Sequence, residues 1–250
     1  LHDALPIYVT DGLYQVSDFD YDAATKTYTL KDGVPYAGEK GNVKPGMWKF
    51  KNIDGSKDNK ITEADKTVIG NAYPKIYGGI NNTFTYKDFD LSIFLTYSIG
   101  NDVFNATKLT NTKTALQNKN VLAVADSKHR WVLVNKAGDL ITDPQEMADI
   151  NKGKTVAAIY DNEAGDTYIH SWAVEDGSFL KLSNITLGYT FPKKMIRKVG
   201  LSKLRLYATG SNLLTWTKYS GFDPEVSTMG NGLTPGVDFG AYPRSRAFVF

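Results

Sequence analysis

The residues of this chain best suited to chemistry are the oxygen-bearing side chains of one acidic segment: Asn52, Asp54, Asp58 and Asp65. Hard cations such as Ca²⁺ take about six to eight oxygen ligands from alternate residues of one tight loop, and Ile61 occupies the position of the apolar pin of such a loop. The spacing differs from that of the EF-hand, because about two residues are inserted near position 56 and Asn59 replaces the turn glycine. The segment therefore predicts either a calcium-binding loop or an Asx-rich turn that holds no metal.

Motifs of known catalytic chemistry are missing from the sequence. It has no Gly-x-Ser-x-Gly elbow, no phosphate-binding loop, no His-Glu-x-x-His and no dinucleotide fingerprint. The chain has no cysteine, which excludes a cysteine nucleophile, a thiolate metal site and a disulfide framework. His129 and His170 are isolated from each other in the sequence, so we expect solvated or capping histidines and assign them no metal. The sequence predicts that the protein is not an enzyme.

Composition narrows the remaining classes of function. The 29 basic and 27 acidic residues give a net charge of +2 and are spread along the chain, which offers no argument for nucleic-acid binding. No apolar run approaches the ~18 residues of a transmembrane helix. The 12% of aromatic residues and the 22 glycines are compatible with a chain rich in β-strands and turns.

A hairpin predicted over residues 73–105, with Lys87-Asp88 at its tip, organises the rest of the chain. Opposite residues of two paired strands share a face, so one register sorts both strands at once. The first face carries Ile80, Phe84, Tyr86, Phe89, Leu91, Ile93, Leu95 and Tyr97, with Asn82 as its misfit. The second face carries Thr83, Thr85, Asp90, Ser92, Thr96 and Ser98, with Phe94 as its misfit.

The length and the ends of these strands favour a membrane. A tilted strand needs roughly 9–11 residues to cross a bilayer, and transmembrane barrels carry aromatic girdles at both interfaces. The hairpin meets both conditions, which predicts that Asp90, Ser92, Thr96 and Ser98 face the lumen of a barrel. A soluble β-sandwich has the same alternation and remains an alternative.

The connections between strands favour the barrel. Residues 178–191 and 204–216 read as two further long strands, and a change of parity within the first indicates either a β-bulge or the point where the strand leaves the lipid zone. The turns at 87–88 and 193–203 are short, whereas the segments 101–177 and 215–242 are long, and residues 103–125 are compatible with helix. Outer-membrane barrels have short periplasmic turns and long outer loops. We therefore predict an all-β fold, an antiparallel transmembrane β-barrel segment whose long extracellular loops contain some helix.

Several motifs in a fixed order resemble one family. They are GMWKFKNIDG at residues 46–55, ITEADKTVIGNAYPKIYGGINNTFTYKDFDLSIFLTYSIGNDVFN at 61–105, SFLKLSNITLGYTFP at 178–192, LRLYATGSNLLTW at 204–216, GFDPEV at 221–226 and the end of the chain from 242. This order resembles the C-terminal barrel region of SusC/RagA-type TonB-dependent outer-membrane receptors. The matching motifs cover about half of the chain.

The resemblance implies a function in nutrient import. Such a receptor is a large plugged barrel in the outer membrane of a Gram-negative bacterium, and it takes up glycans or peptides. It works with a SusD-like surface lipoprotein and is energised by the TonB complex through an N-terminal region that this chain does not contain. Outer-membrane lipid would surround it. The alternative from a different class is a soluble, extracellular, β-rich carbohydrate-binding module that uses exposed aromatic side chains as sugar platforms.

The two ends of the sequence suggest a partial domain. Residues 1–7 contain a peptide that a common sequencing-adapter string encodes, so we expect a non-native scar there. We expect residues 8–250 to be a partial C-terminal receptor barrel domain, truncated at both ends, because the last predicted strand is short of the ~9–11 residues needed to span a bilayer.

Overall fold

The computed structural model describes residues 6–112, 120–160, 168–225 and 235–250. The described chain forms two compact units. The first, here called the sheet unit, consists of Gly70–Asn105 and of the described part of Glu175–Phe250. The second, the aromatic unit, consists of the described residues between positions 6 and 69 and within Ala106–Val174.

Strands dominate both units, and helices are short. The strands before the central hairpin are β1 Ile7–Tyr8, β2 Thr10–Leu13, β3 Phe19–Asp22, β4 Thr27–Leu30, β5 Tyr36–Ala37, β6 Trp48–Phe50, β7 Lys60–Ile61 and β8 Lys66–Thr67. They are followed by β9 Ile76–Tyr86, β10 Phe89–Ile99, β11 Asp102–Asn105, β12 Val174–Asp176, β13 Phe179–Thr190, β14 Arg205–Thr217, β15 Val237–Asp238 and β16 Ala247–Val249. The α-helices are α1 Ala106–Asn111, α2 Pro144–Ile150 and α3 Lys193–Ile196.

The sheet unit is built on five antiparallel strands in the order β16-β14-β13-β10-β9. The predicted register of the hairpin is confirmed from Tyr86 opposite Phe89 to Tyr77 opposite Ser98. Its two-residue turn needs a left-handed residue, and Lys87 takes that conformation with φ 54°. A smaller sheet in the order β12-β11-β15 lies in the same part of the chain.

The connection between β13 and β14 is short, as predicted, and it contains a helical turn. Helix α3 is followed by a 3-10 turn at Arg197–Val199, and Gly200 ends it in the left-handed conformation at φ 75°. Glycine reaches that region without the steric cost that a side chain would add.

The aromatic unit has its own core. Its strands are only two to four residues long, so the sequence shows no alternation of apolar and polar residues that would predict this core. The core consists of Tyr8, Leu13, Ala37, Trp48, Phe50, Ile61, Trp131, Ile141, Met147, Ala157 and Ala158. His170 was expected to be solvated or to cap a helix, but it is buried, with its ring centroid 4.6 Å from that of Trp48. The long excursion after the hairpin is therefore not a plain loop, since most of it folds together with the start of the chain.

The described part of the excursion contains two short α-helices, of which α1 lies within the predicted helix-compatible range and α2 lies outside it, while residues 103–105 of that range belong to strand β11. Helix α1 follows β11 directly, whereas part of the predicted helix-compatible range, residues 113–119, lies outside the described residues. Helix α2 begins with a proline, and the Asp143 carboxylate accepts the N–H of Glu146 as its N-cap. Within the described part of the chain, no helix combines the length and the apolar character needed to cross a membrane.

Of the suspected scar, residues 1–5 lie outside the described residues. Ile7 is buried and pairs with Thr67 in the short ladder between β1 and β8.

Candidate functional site

The candidate site is the polar face of the five-stranded sheet. Residues that pair across antiparallel strands share a face, so the register of β9, β10, β13 and β14 assigns every side chain to one of two surfaces. The polar face includes Thr83, Thr85, Asp90, Ser92, Thr96, Lys181, Asn184, Thr186, Thr209 and Thr215. The apolar face includes Ile80, Phe84, Leu91, Ile93, Leu95, Leu180, Leu182, Ile185, Leu187, Leu206, Leu214 and Trp216.

A bulge in β13 keeps the two faces separate along the whole strand. Asn184 pairs with Phe94 and Leu182 pairs with Leu95, so Ser183 is an extra residue on β13. The extra residue restores Leu180 and Leu182 to the same face as Ile185, so the change of parity is a bulge.

The apolar face is exposed over several strands. Ile80, Phe84, Leu180, Leu187, Leu206, Leu214 and Trp216 are each between 40% and 60% exposed. Soluble monomers rarely present an apolar surface that extends across several strands, because its hydration is unfavourable. An exposed apolar face of this extent is typical of a surface that contacts lipid or another protein.

Asp90 lies at the turn end of the polar face and forms an ion pair across β13. Its two carboxylate oxygens accept hydrogen bonds from Nε and Nη2 of Arg205 at 3.1 and 2.6 Å. The pair passes over Gly188, where a Cβ atom would lie 2.5 Å from Asp90 Oδ1. A side chain at this position would displace the ion pair.

Hydroxyl and amide side chains line the middle of the polar face and form hydrogen bonds with one another. Ser92 donates to Asn81 Oδ1 at 3.3 Å, and the hydroxyl oxygens of Thr96 and Ser183 lie 2.6 Å apart. Phe94, the predicted misfit of this face, lies against Gly79, where a Cβ atom would be 2.9 Å from its ring. The aromatic ring thus fills the gap that the glycine leaves in the pleated surface.

Ser98 belongs to the same face but is buried. Its hydroxyl donates to Asn101 Oδ1 at 2.7 Å, and the Asn101 carbonyl accepts the N–H of Gly177 at 2.8 Å. Of the four predicted lumen-facing residues, Asp90, Ser92 and Thr96 remain partly exposed, whereas the end of the strand that holds Ser98 is covered. The orientation of all four toward a lumen stays a prediction.

Sequence reasoning missed the charged residues of this face other than Asp90. Lys181 is buried on the polar face, 2.6 Å from Glu225 Oε2, and Arg205 pairs with Asp90. The sequence did contain a signal for them, because Lys181 and Arg205 each alternate with apolar residues along their strand, which places both on the polar face. Their acidic partners could not be assigned, because they lie 44 and 115 residues away.

The four residues of the predicted calcium loop lie in the aromatic unit, where they form hydrogen bonds within the loop. Asp65 is fully buried, and its carboxylate accepts the N–H groups of Ile53, Asp54 and Thr62 at 2.8, 3.2 and 2.8 Å. Asp65 therefore ties the beginning of the loop to its end.

The other three candidate ligands bond to the same short turn. Asn52 donates to Ser56 Oγ at 3.2 Å, Asp54 accepts the N–H of Ser56 at 2.7 Å, and Asp58 accepts the N–H of Lys60 at 3.0 Å. The Lys60 N–H, together with the Ser56 hydroxyl, holds the pKa of Asp58 below its usual value. Among the residues that the structure describes, no three His, Asp or Glu side chains are gathered closely enough to hold a metal ion. The hydrogen bonds have the form of an Asx-rich turn, and calcium binding stays a prediction.

No family model matches the chain. It is 30% identical over 247 residues to TonB-dependent receptor P3 of Formosa agariphila, an alignment that covers 97% of this chain and 21% of the relative. It is 28% identical to TonB-dependent receptor SusC of Bacteroides thetaiotaomicron, covering 79% of this chain and 17% of SusC. The chain spans about a fifth of the length of the curated relatives it matches.

Solved structures share the fold. A chain of the RagAB peptide importer in the "open-open" state superposes with a TM-score of 0.60 at 19% identity, covering 98% of this chain and 21% of that one. The "closed-closed" state gives a TM-score of 0.57. The chain therefore shares the fold of the matched segment of those chains. The matched relatives give no support to a soluble carbohydrate-binding module.

Proposed function

We propose that this chain, which belongs to the SusC/RagA-type TonB-dependent receptors, forms adjacent transmembrane strands of an outer-membrane barrel through which a nutrient is imported. The observation that carries the proposal is the division of the sheet into an exposed apolar face and a hydrogen-bonded polar face. In a barrel of this kind the first faces lipid and the second faces the lumen.

The lengths of the strands fit this role. Strands β9 and β10 have 11 residues each, β13 has 12 and β14 has 13. At ~3.3 Å per residue and a tilt of about 45°, such strands extend roughly 25–30 Å along the membrane normal. That distance matches the apolar band of a transmembrane barrel, which is about 25 Å tall.

The membrane assignment can be tested with single cysteines, because the chain has none of its own. In the complete receptor, a spin label at Leu187 should be accessible to oxygen dissolved in lipid. A label at Thr186, the next residue on β13, should be accessible to a water-soluble nickel chelate. Equal accessibility of both positions to both reagents would contradict a sheet with one lipid face and one aqueous face.

The proposed cargo is a glycan or a peptide, and the proposed partners are a SusD-like surface lipoprotein and the TonB complex. SusC and the RagAB peptide importer support these assignments by their relationship to the chain. The test is uptake by cells that contain or lack the complete receptor, supplied with tagged oligosaccharides or tagged oligopeptides. Receptor-dependent uptake that stops when TonB is deleted would support the proposal, and uptake of neither mixture would contradict it. Co-purification of a lipoprotein with the receptor tests the partner separately.

A further inference from the structure

A buried lysine on the polar face identifies a part of that face that is not open to solvent. The side chain of Lys181 is only 3% exposed, although its strand neighbours Thr96 and Thr215 belong to the same hydroxyl-rich surface. An ammonium group is costly to bury unless anionic partners replace its water. Something must therefore cover Lys181 and supply the opposite charge.

The cover is the segment 219–225, which follows β14. Its Glu225 carboxylate lies 2.6 Å from Lys181 Nζ, and the Asp223 carboxylate lies 3.9 Å away. Asp223 is itself buried, and it accepts the N–H of Glu225 at 3.0 Å, which fixes the two acids relative to each other. Arg244, which is 56% exposed, approaches Glu225 at 3.5 Å from the rim.

The beginning of the segment is fixed as firmly as its end. The Tyr219 hydroxyl donates to Asp238 Oδ2 at 2.6 Å, and both the N–H and the hydroxyl of Ser220 donate to Glu175 at 2.8 Å. Gly221 packs so closely against the Tyr219 ring that a Cβ atom would lie 2.6 Å from its hydroxyl oxygen. Phe222 lies between these two anchored ends, and its side chain is 72% exposed.

An aromatic side chain held in solvent by an anchored backbone is suited to contact a ligand. Binding residues commonly lie on loops that a rigid scaffold positions, and an aromatic side chain, which has only two side-chain torsions, loses little conformational entropy on contact. In the segment 219–225 the chain supplies the scaffold through a buried ion pair and a set of hydrogen bonds, and it leaves the ring of Phe222 unburied.

We propose that Lys181 is a positioning residue, which clamps the segment 219–225 onto the polar face and so places Phe222 to contact an apolar face of the imported molecule. This inference rests on the proposed import function. According to this inference, the segment 219–225 contributes to selectivity for the imported molecule at this part of the sheet, and the side chains of the strands that it covers do not.

The clamp is tested without any cargo. A spin label at Phe222→Cys in the complete receptor reports the mobility of the segment, and we expect a broad, immobilised spectrum. Lys181→Met removes the charge but keeps an apolar side chain of similar length, and it should convert the spectrum to a mobile one. Arg244→Met removes a cation from the same Glu225, but at the exposed rim, and should leave the label immobile.

A second variant guards against misfolding of Lys181→Met. Glu225→Gln keeps the shape of the acid and removes its charge, so it should also mobilise the label. Migration of the unheated variant on a denaturing gel at the position of the folded parent receptor would show that the variant is folded. An immobile label in both Lys181→Met and Glu225→Gln would overturn the clamp.

The contact is tested by the concentration dependence of uptake, with the tagged oligosaccharide and oligopeptide mixtures as probes. Loss of a positioned aromatic contact should raise the half-saturation concentration about tenfold and leave the maximal rate near that of the parent. Phe222→Ala and Lys181→Met should both show this effect, and Arg244→Met should not. A mobile label with an unchanged half-saturation concentration would overturn the contact. If the parent receptor imports neither mixture, the import function fails, whereas the spin-label result still decides the clamp.

Discussion

Replacing Ile93 with arginine is the most direct test of which face of the sheet meets lipid. Ile93 is the fifth of the 11 residues of β10 and lies on the apolar face between Asn82 and Ile185. At ~3.4 Å per residue and a tilt of about 45°, it lies roughly 10 Å in depth from one end of the strand and 14 Å from the other. Position 93 is therefore close to the midplane of the bilayer.

The expected magnitude follows from this depth. An arginine on the lipid face at the midplane costs about 2–4 kcal/mol, which reduces the ratio of folded to unfolded receptor about 30-fold to nearly 1000-fold. Asn82 is directly opposite and offers the guanidinium group one polar neighbour, so we expect a cost at the lower end of this range.

The matched control is Ser92→Arg, one residue away on the polar face. Its neighbours in register are Thr83 and Thr186, so the new charge would meet hydroxyl groups. Thr96→Arg is a weaker control, because Thr96 pairs with the buried Lys181 and a second cation there would be repelled.

The assay is urea unfolding of the complete receptor in phospholipid vesicles, with the amount of receptor in the outer membrane as a second measurement. The midpoint should fall strongly for Ile93→Arg and little for Ser92→Arg. An equal loss in both variants, or no loss in either, would refute the assignment of the lipid face.

Three further outcomes are expected in the complete receptor. Gly188→Ala should displace the ion pair that crosses it and lower the melting temperature about as little as Arg205→Gln does, and the double variant should lose no more than either single variant; additive losses would contradict the account. Asp65→Asn should lower the free energy of unfolding of the aromatic unit by about 1–3 kcal/mol, because an amide cannot accept all three backbone N–H groups that the carboxylate accepts. The control Asp54→Asn changes an exposed side chain and should alter this free energy little. Denaturant unfolding compares the two variants, and equal losses would contradict the role of Asp65 in joining the two ends of the loop. If the acidic loop binds calcium, titration calorimetry should detect a saturable heat that a chelator removes and Asp58→Asn weakens; no such heat would leave an Asx-rich turn.

The architecture of the hairpin was determined by its sequence alone. The side chains of a strand alternate with period 2, and a slip of one residue would exchange the two faces of the strand. Only one register therefore places the apolar residues of both strands on one face, and the structure has that register over residues 77–98. The same reasoning placed a change of parity between Leu182 and Ile185, and the register of the structure shows that it is a bulge at Ser183. Both features are local, and the pattern of apolar and polar residues is sufficient to encode them.

The tertiary structure alone decided which polar residues stay open and which are covered. In the sequence, Lys181 is one more polar residue of an alternating strand. In the structure it is buried and pairs with Glu225, which lies 44 residues later in the chain. The sequence predicts Ser98 as a lumen-facing residue, but in the structure its hydroxyl donates a hydrogen bond to Asn101 Oδ1 and the side chain is buried. His170 reads as an isolated polar residue until Trp48 and Phe50 surround it. Contacts between such distant segments leave no periodic trace in the sequence, because they depend on how the chain returns to the sheet and to the core.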